Sequence, residues 1–144
     1  MAQETPSLVP AQQRVPLYTP LQVRLASFLG GPFAAVYALH YNFVCLKKDR
    51  ERKLTLIWGA TFIVALLATI HFLPEKFPNS FIPLAYTIAA GEIAAKKQLT
   101  KEAIVNSENF VRVSGWRVAL VSVIAFIAFL AVIFPLLLTV MNWE

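Results

Sequence analysis

The sequence predicts an all-α, polytopic membrane protein that folds as a compact four-helix transmembrane bundle. Hydrophobic residues make up 58% of the 144 residues, and the mean hydropathy is +0.62, well above that of a typical water-soluble domain. Charged residues amount to 15% and gather in short clusters, which leaves long apolar intervals between them. Several intervals approach the ~20 residues that a helix needs to cross a bilayer.

Residues 1–19 are predicted to form an extended or disordered proline-rich tail, and residues 20–144 a single transmembrane helical domain. Four prolines fall within residues 1–20, and no apolar segment there resembles a signal peptide. At the end of the tail, Thr19 followed by Pro20 is typical of a helix start, with threonine at the N-cap and proline at the first helical position.

Four apolar runs are the predicted spans, at residues 25–46, 54–73, 77–95 and 118–140. The second and fourth have the required length without interruption. The third contains Pro78, Pro83 and Glu92. A bundle of three spans with a re-entrant or interfacial segment at 77–95 is therefore the alternative architecture.

The first run is interrupted by Gly30, Gly31 and Pro32. The residues that follow Pro32 reach only to Leu46, which gives roughly 21 Å of helix, too short to cross about 30 Å of hydrocarbon. We therefore expect one continuous first span that is kinked at the triplet, because proline removes a backbone donor and crowds the preceding turn.

The positive charge of the chain indicates an orientation. With four spans, the basic loops 47–53 and 96–117 hold ten Lys and Arg residues on one side, against Arg14, Arg24 and Lys76 on the other. Because cytoplasmic loops are enriched in these residues, both basic loops are predicted to be cytoplasmic and both termini outside. If the third run did not cross, the division would be five against eight.

A face of small residues on the first span is the candidate packing surface. It comprises Gly30, Gly31, Ala34, Ala35 and Ala38, at helical spacing. Small residues let helix backbones approach closely in a membrane, where burial of apolar area contributes little. The face could pack within the bundle, form a homodimer or receive a partner protein.

Ionisable residues at membrane depth are the other candidates, because they are costly there. His40 and Glu92 both lie toward the cytoplasmic side and could form an intramembrane pair that relays a proton or holds two spans together. Alternatively, Glu92 pairs with Lys96 four residues on, and His40 is a packing residue. His71 is expected at the opposite interface, close to the end of its span.

The sequence offers no recognisable catalytic, metal or cofactor motif, so we expect a protein that is not an enzyme and has no metal or cofactor. Its basic clusters flank apolar runs, which favours topology signals over nucleic-acid binding. Cys45 is the one cysteine, so an internal disulfide is excluded.

The stretches "YTPLQVRLASFLGGP", "FLPEKFPNSFIPLAYTIAA" and "GWRV" together resemble a group of small bacterial multi-span inner-membrane proteins without an assigned function. The resemblance covers most of residues 18–140 and implies the bacterial inner (plasma) membrane. In size and character the chain is also similar to membrane-embedded immunity proteins that guard a cell against toxins.

Three functions follow as hypotheses. The first is a non-enzymatic protein that binds another membrane component, such as an immunity protein that binds a membrane-targeting toxin. The second is a small proton-coupled transporter that uses Glu92 and His40. The third is an accessory subunit of a membrane complex. In each case the lipid bilayer is a partner.

Overall fold

A computed structural model describes residues 14–70, 78 and 80–141. These residues are mostly helical and contain two short strands. In chain order the elements are β1 (Val15–Leu17), α1 (Pro20–Cys45), α2 (Asp49–Ile70), α3 (Phe81–Lys97), α4 (Lys101–Val105), β2 (Phe110–Arg112) and α5 (Gly115–Met141).

Two of the described helices, at Asp49–Thr69 and Gly115–Leu136, are long and apolar enough to cross a membrane. They coincide with the second and fourth predicted spans, which supports the membrane class. Helix α3 is 17 residues long, about 25 Å. It is continuous through Pro83, because that proline lies in its first turn, where backbone N–H groups have no helical partner in any case.

Helix α1 consists of two helical arms that fold back on each other as a hairpin. The backbone N–H of Tyr18 donates to Oδ1 of Asn42 at 2.8 Å, and Nδ2 of Asn42 donates to the Tyr18 carbonyl at 2.7 Å. In a straight helix residues this far apart would be separated by about 36 Å. The chain reverses at Gly31, whose φ of 73° and ψ of −165° fall in a region that is essentially restricted to glycine. The first arm (residues 20–30) and the second arm (residues 32–45) therefore lie side by side.

Contacts with α5 give the direction of each arm. Along the first arm, Nε2 of Gln22 donates to the Val113 carbonyl, and Gly30 lies against Ser122, so this arm runs parallel to α5. Along the second arm, the rings of Phe33 and Phe129 are 5.9 Å apart and Arg117 lies over the ring of Tyr41, so this arm runs antiparallel. The tip of the hairpin thus reaches only about half the length of α5.

This geometry corrects the first predicted span. Residues 25–46 do not form one kinked helix that reaches from end to end. The start of α1, near Tyr18, lies beside its end, near Asn42. The predicted span was wrong because an apolar run of this length can also fold back as two short antiparallel arms. The chain reverses within the first run, while residues 81–97 form the continuous helix α3.

One end of the molecule carries most of the polar connections, and we call it the polar end (residues 14–19, 46–53 and 98–114). Strand β1 pairs in parallel with β2, with Pro16 opposite Val111. The Val113 N–H donates to the Leu17 carbonyl at 3.0 Å. The described part of the predicted tail is therefore extended and tied to the second basic loop.

Helix α1 also forms the centre of the packing, because α2, α3 and α5 each pack mainly on it and little on one another. The buried residues on its two arms are mostly small. The predicted small-residue face, Gly30, Gly31, Ala34, Ala35 and Ala38, is buried. A Cβ added at Gly30 would lie 2.8 Å from Cα of Ser122, so α5 covers the face around Gly30. Of the three uses predicted for it, the structure has internal packing.

Candidate binding groove

An open apolar groove runs between the second arm of α1, α2 and α3, and its volume is about 980 Å³. This is at the upper limit of the usual range for small-molecule sites. Helix α1 contributes Pro32, Ala35, Val36, Leu39 and Phe43. Helix α2 contributes, among others, Glu51, Leu54, Trp58, Gly59, Phe62 and Ala65, and α3 contributes Phe81, Tyr86, Ala89, Ala90, Ile93 and Lys97.

The groove exists because the hairpin separates α2 from α3. Val36 of the second arm packs directly on Gly59 of α2, where an added Cβ would meet the valine side chain. On the opposite wall, Ala89 and Ala90 face the groove with little side-chain bulk. Between the two walls, the rings of Phe62 and Tyr86 meet edge to face with centroids 6.1 Å apart. Those rings narrow the groove about two-thirds of the way along it from the end at Glu51 and Lys97.

Some large apolar side chains of the groove have a high exposed fraction. Trp58 is 68% exposed and Phe81 62% exposed. Exposed apolar patches of this kind mark a lipid-facing surface or a binding site. The lining is therefore suited to an apolar guest.

Among the lining residues that the structure describes, the charged ones are Glu51 and Lys97, and both lie at the polar end. Lys48 lies beside them, because its Nζ donates to the Lys97 carbonyl at 2.6 Å. From Lys97 to Phe81 the wall formed by α3 is about 24 Å long. The described lining of the groove is thus charged at one end and mostly apolar along the remaining length.

The predicted His40–Glu92 pair is not formed. Oε1 of Glu92 accepts a hydrogen bond from Nη2 of Arg24 at 2.9 Å, and its Oε2 lies 3.4 Å from Nζ of Lys96. The hairpin explains the difference, because it brings Arg24 of the first arm beside α3. The alternative Glu92–Lys96 pair is present, and both Arg24 and Glu92 side chains remain more than 40% exposed.

The alternative prediction for His40 and the prediction for His71 have different outcomes. Nδ1 of His40 is buried and has no hydrogen-bond partner among the residues that the structure describes. The residue is half-buried on the second arm, and its role as a packing residue stays a prediction. His71 lies outside the described residues, so its predicted interfacial position stays a prediction.

A buried amide network at the polar end was not predicted from the sequence. Nδ2 of Asn42 donates to Oε1 of Gln98 at 2.7 Å, and Nε2 of Gln98 donates to the Leu39 carbonyl at 3.0 Å. Gln22 forms a capping box with Thr19 and also reaches Val113. The N-cap at Thr19 was predicted correctly, and its partner three residues on was the available signal for Gln22.

Aromatic side chains surround Arg117 near the same end. Its guanidinium lies 4.8 Å from the centroid of Tyr41, and the rings of Tyr41 and Tyr18 pack edge to face. Burial raises the pKa of Tyr18 above its ordinary 10.0, an effect that the nearby Arg117 partly opposes. The cluster fixes the start of α5 to the second arm of the hairpin.

Across residues 14–70, 78 and 80–141, no group of three His, Cys, Asp or Glu side chains could hold a metal ion. Comparison of the chain with protein families, with curated proteins and with solved structures found no match. The groove is consequently the feature on which a functional proposal can be based.

Proposed function

We propose that the protein is a non-enzymatic integral membrane protein that binds another membrane component in the groove between α1, α2 and α3. The observation that carries the proposal is the groove itself, an open site of about 980 Å³ lined almost wholly by apolar side chains. The part of the small-residue face around Gly30 is not the binding surface, because α5 covers it, whereas Ala35 lines the groove. A partner in the groove would therefore contact mainly the side chains of α2 and α3 that line it.

The proposal includes a revised orientation in the bacterial inner membrane. Helices α2, α3 and α5 cross, and the α1 hairpin enters and leaves on one side. Twelve of the thirteen Lys and Arg residues, all except Lys76, then lie at the polar end or within about two turns of it. This asymmetry exceeds the ten against three of a four-span bundle. It favours a cytoplasmic polar end, with residues 14–19 inside and the end of α5 outside.

Of the three sequence-based hypotheses, the geometry favours binding over transport. The transporter hypothesis needed Glu92 and His40 in one site, and Glu92 instead forms ion pairs with Arg24 and Lys96. An immunity protein or accessory subunit would hold its partner in the groove. For the immunity form, a deletion strain should lose protection from a toxin encoded nearby, and unchanged survival would exclude that form.

Site-specific photo-crosslinking tests the proposal directly. A benzophenone amino acid at Ala89, which lies in the groove, should give one discrete adduct in native membranes. The same residue at Ala68, which is exposed on α2 but outside the groove, is the matched control and should give a mixture of bulk lipid adducts. Identical adduct patterns at the two positions would show that the groove has no specific occupant.

A further inference from the structure

We infer that the occupant of the groove is a single phospholipid whose headgroup carries both a phosphate and a primary amine. This inference rests on the proposed function, since it names the component that the groove binds. It depends on three features: the depth of the groove, the ring contact that divides it, and the charges at its polar end.

The depth matches one leaflet. Phe62 lies eleven residues after Glu51 on α2, and Tyr86 lies eleven residues before Lys97 on α3. Each interval corresponds to about 17 Å of helix. Half of a hydrocarbon core of about 30 Å is roughly 15 Å. The part of the groove between the charged end and the ring contact is therefore as deep as one leaflet.

The ring contact favours an acyl chain over a partner helix. A helix with its side chains is about 10 Å across. It cannot lie between α2 and α3 where the rings of Phe62 and Tyr86 are in contact at 6.1 Å. One of the two acyl chains of a phospholipid is narrow enough to fill the section between the polar end and that contact, with the second arm of α1 as its floor.

The charges at the polar end complement the headgroup. Lys97 lies in the lining at this end, and Nζ of the neighbouring Lys48 lies 2.6 Å from the Lys97 carbonyl, so the end is basic. Basic pockets at the membrane interface bind lipid headgroups. Glu51 lies in the same lining and supplies a carboxylate. A carboxylate repels a purely anionic headgroup but accepts hydrogen bonds from a primary ammonium. The two lysines together with Glu51 therefore fit a zwitterionic headgroup that carries both a phosphate and a primary amine.

Native mass spectrometry of the full chain, released from nanodiscs, tests the inference. The nanodiscs contain equal amounts of phosphatidylethanolamine, phosphatidylglycerol and phosphatidylcholine. We expect one phosphatidylethanolamine to be retained after the other lipids are stripped. The variant Ala89→Leu should lose that lipid, and Ala68→Leu should keep it. Circular dichroism and gel filtration check that both variants fold.

The charge variants test the headgroup without altering the apolar packing. Glu51→Gln should reduce the preference for phosphatidylethanolamine over phosphatidylglycerol by about tenfold, as expected for the loss of one charge-assisted hydrogen bond. Lys97→Gln should weaken retention of both lipids. Equal retention of the three lipids by the unmodified protein would overturn the headgroup assignment.

The outcomes also separate this inference from the proposed function. A discrete protein adduct at Ala89 without a retained lipid would overturn the phospholipid and leave the groove as a binding site. If neither a lipid nor a discrete adduct is found, both proposals fail.

Discussion

Asn42, near the end of α1, holds the backbone of Tyr18, just before its start, through hydrogen bonds of 2.7 and 2.8 Å to the carbonyl and N–H groups. This pair of bonds closes the hairpin. Asn42 is 1% exposed and also donates to Gln98 of the α3 terminus. One side chain therefore joins three segments at the polar end.

Replacement of Asn42 should open the base of the hairpin. In Asn42→Ala the buried Tyr18 backbone groups and Gln98 lose their partners, and each such loss costs about 1–3 kcal/mol. We expect the free energy of unfolding in detergent to fall by about 2 kcal/mol or more. Asn106→Ala, at an exposed position after α4, is the matched control and should change stability by less than about 0.5 kcal/mol. Equal stability of the two variants would contradict the role of Asn42.

Gly31→Ala should destabilise the protein because of its backbone conformation rather than for lack of space. The nearest atom to an added Cβ is Cδ1 of Phe129 at 3.7 Å, an ordinary contact, but the φ of 73° disfavours alanine. The expected cost is about 1–3 kcal/mol in thermal or denaturant unfolding. Gly115→Ala, where nothing lies within 4 Å of the new methyl group, should be nearly neutral. A neutral Gly31→Ala would argue against the hairpin turn.

Cysteine labelling in intact cells should separate the hairpin from a four-span bundle. In a Cys45→Ser background, Arg14→Cys and Lys101→Cys should be protected from an impermeant maleimide added outside. Lys76→Cys, in the connection between α2 and α3, should be labelled. The hairpin places Arg14 on the side of Lys101, whereas four spans place it on the side of Lys76. External labelling of Arg14→Cys would restore the four-span arrangement.

A double-mutant cycle should show coupling between Arg24 and Glu92. Both side chains are more than 40% exposed, so solvent screening keeps the expected coupling to about 0.5–1 kcal/mol. The same cycle with His40 and Glu92 should give coupling near zero, because the two side chains are not paired. Measurable coupling in the His40 cycle, or loss of proton-coupled transport in Glu92→Gln, would favour the transporter hypothesis.

Alkaline pH should destabilise the protein partly through Tyr18. Because burial raises the pKa of Tyr18 in the folded state above 10.0, the unfolded chain releases this proton first as the pH rises. The contribution of Tyr18 to stability is therefore complete below about pH 10 and is lost as the pH rises further. Tyr18→Phe should weaken this decline between about pH 9 and 11, relative to the unmodified protein, in denaturant titrations. An unchanged pH profile would show that Tyr18 titrates normally.

Much of the secondary structure could be predicted from the sequence. The apolar runs at 54–73 and 118–140 correspond to α2 and α5, and the helix start at Thr19 and Pro20 is correct. These features depend on local composition and capping chemistry, which the sequence states directly. The pairing of Glu92 with Lys96 is similarly local, because residues four apart share a helix face.

The candidate site could not be predicted in the same way. The groove depends on the separation of α2 from α3 by the second arm of α1, and that contact joins Val36 to Gly59 across a reversal of the chain. Glu92 was recognised as a candidate, but its partner Arg24 lies 68 residues away along the chain. The Val36–Gly59 contact and the Arg24–Glu92 pair both depend on the positions of the two arms of α1, which local sequence patterns do not give.

The sequence by itself determined that the chain is helical, apolar enough for a membrane, and basic in two loops. Only the tertiary structure decided that residues 20–45 fold back on themselves. A count of apolar residues gives the same value for one long helix and for two short antiparallel arms. The choice is made by the positive φ of Gly31, by the close approach of Gly30 to Ser122, and by the hydrogen bonds of Asn42 to Tyr18, which form only when distant parts of the chain meet.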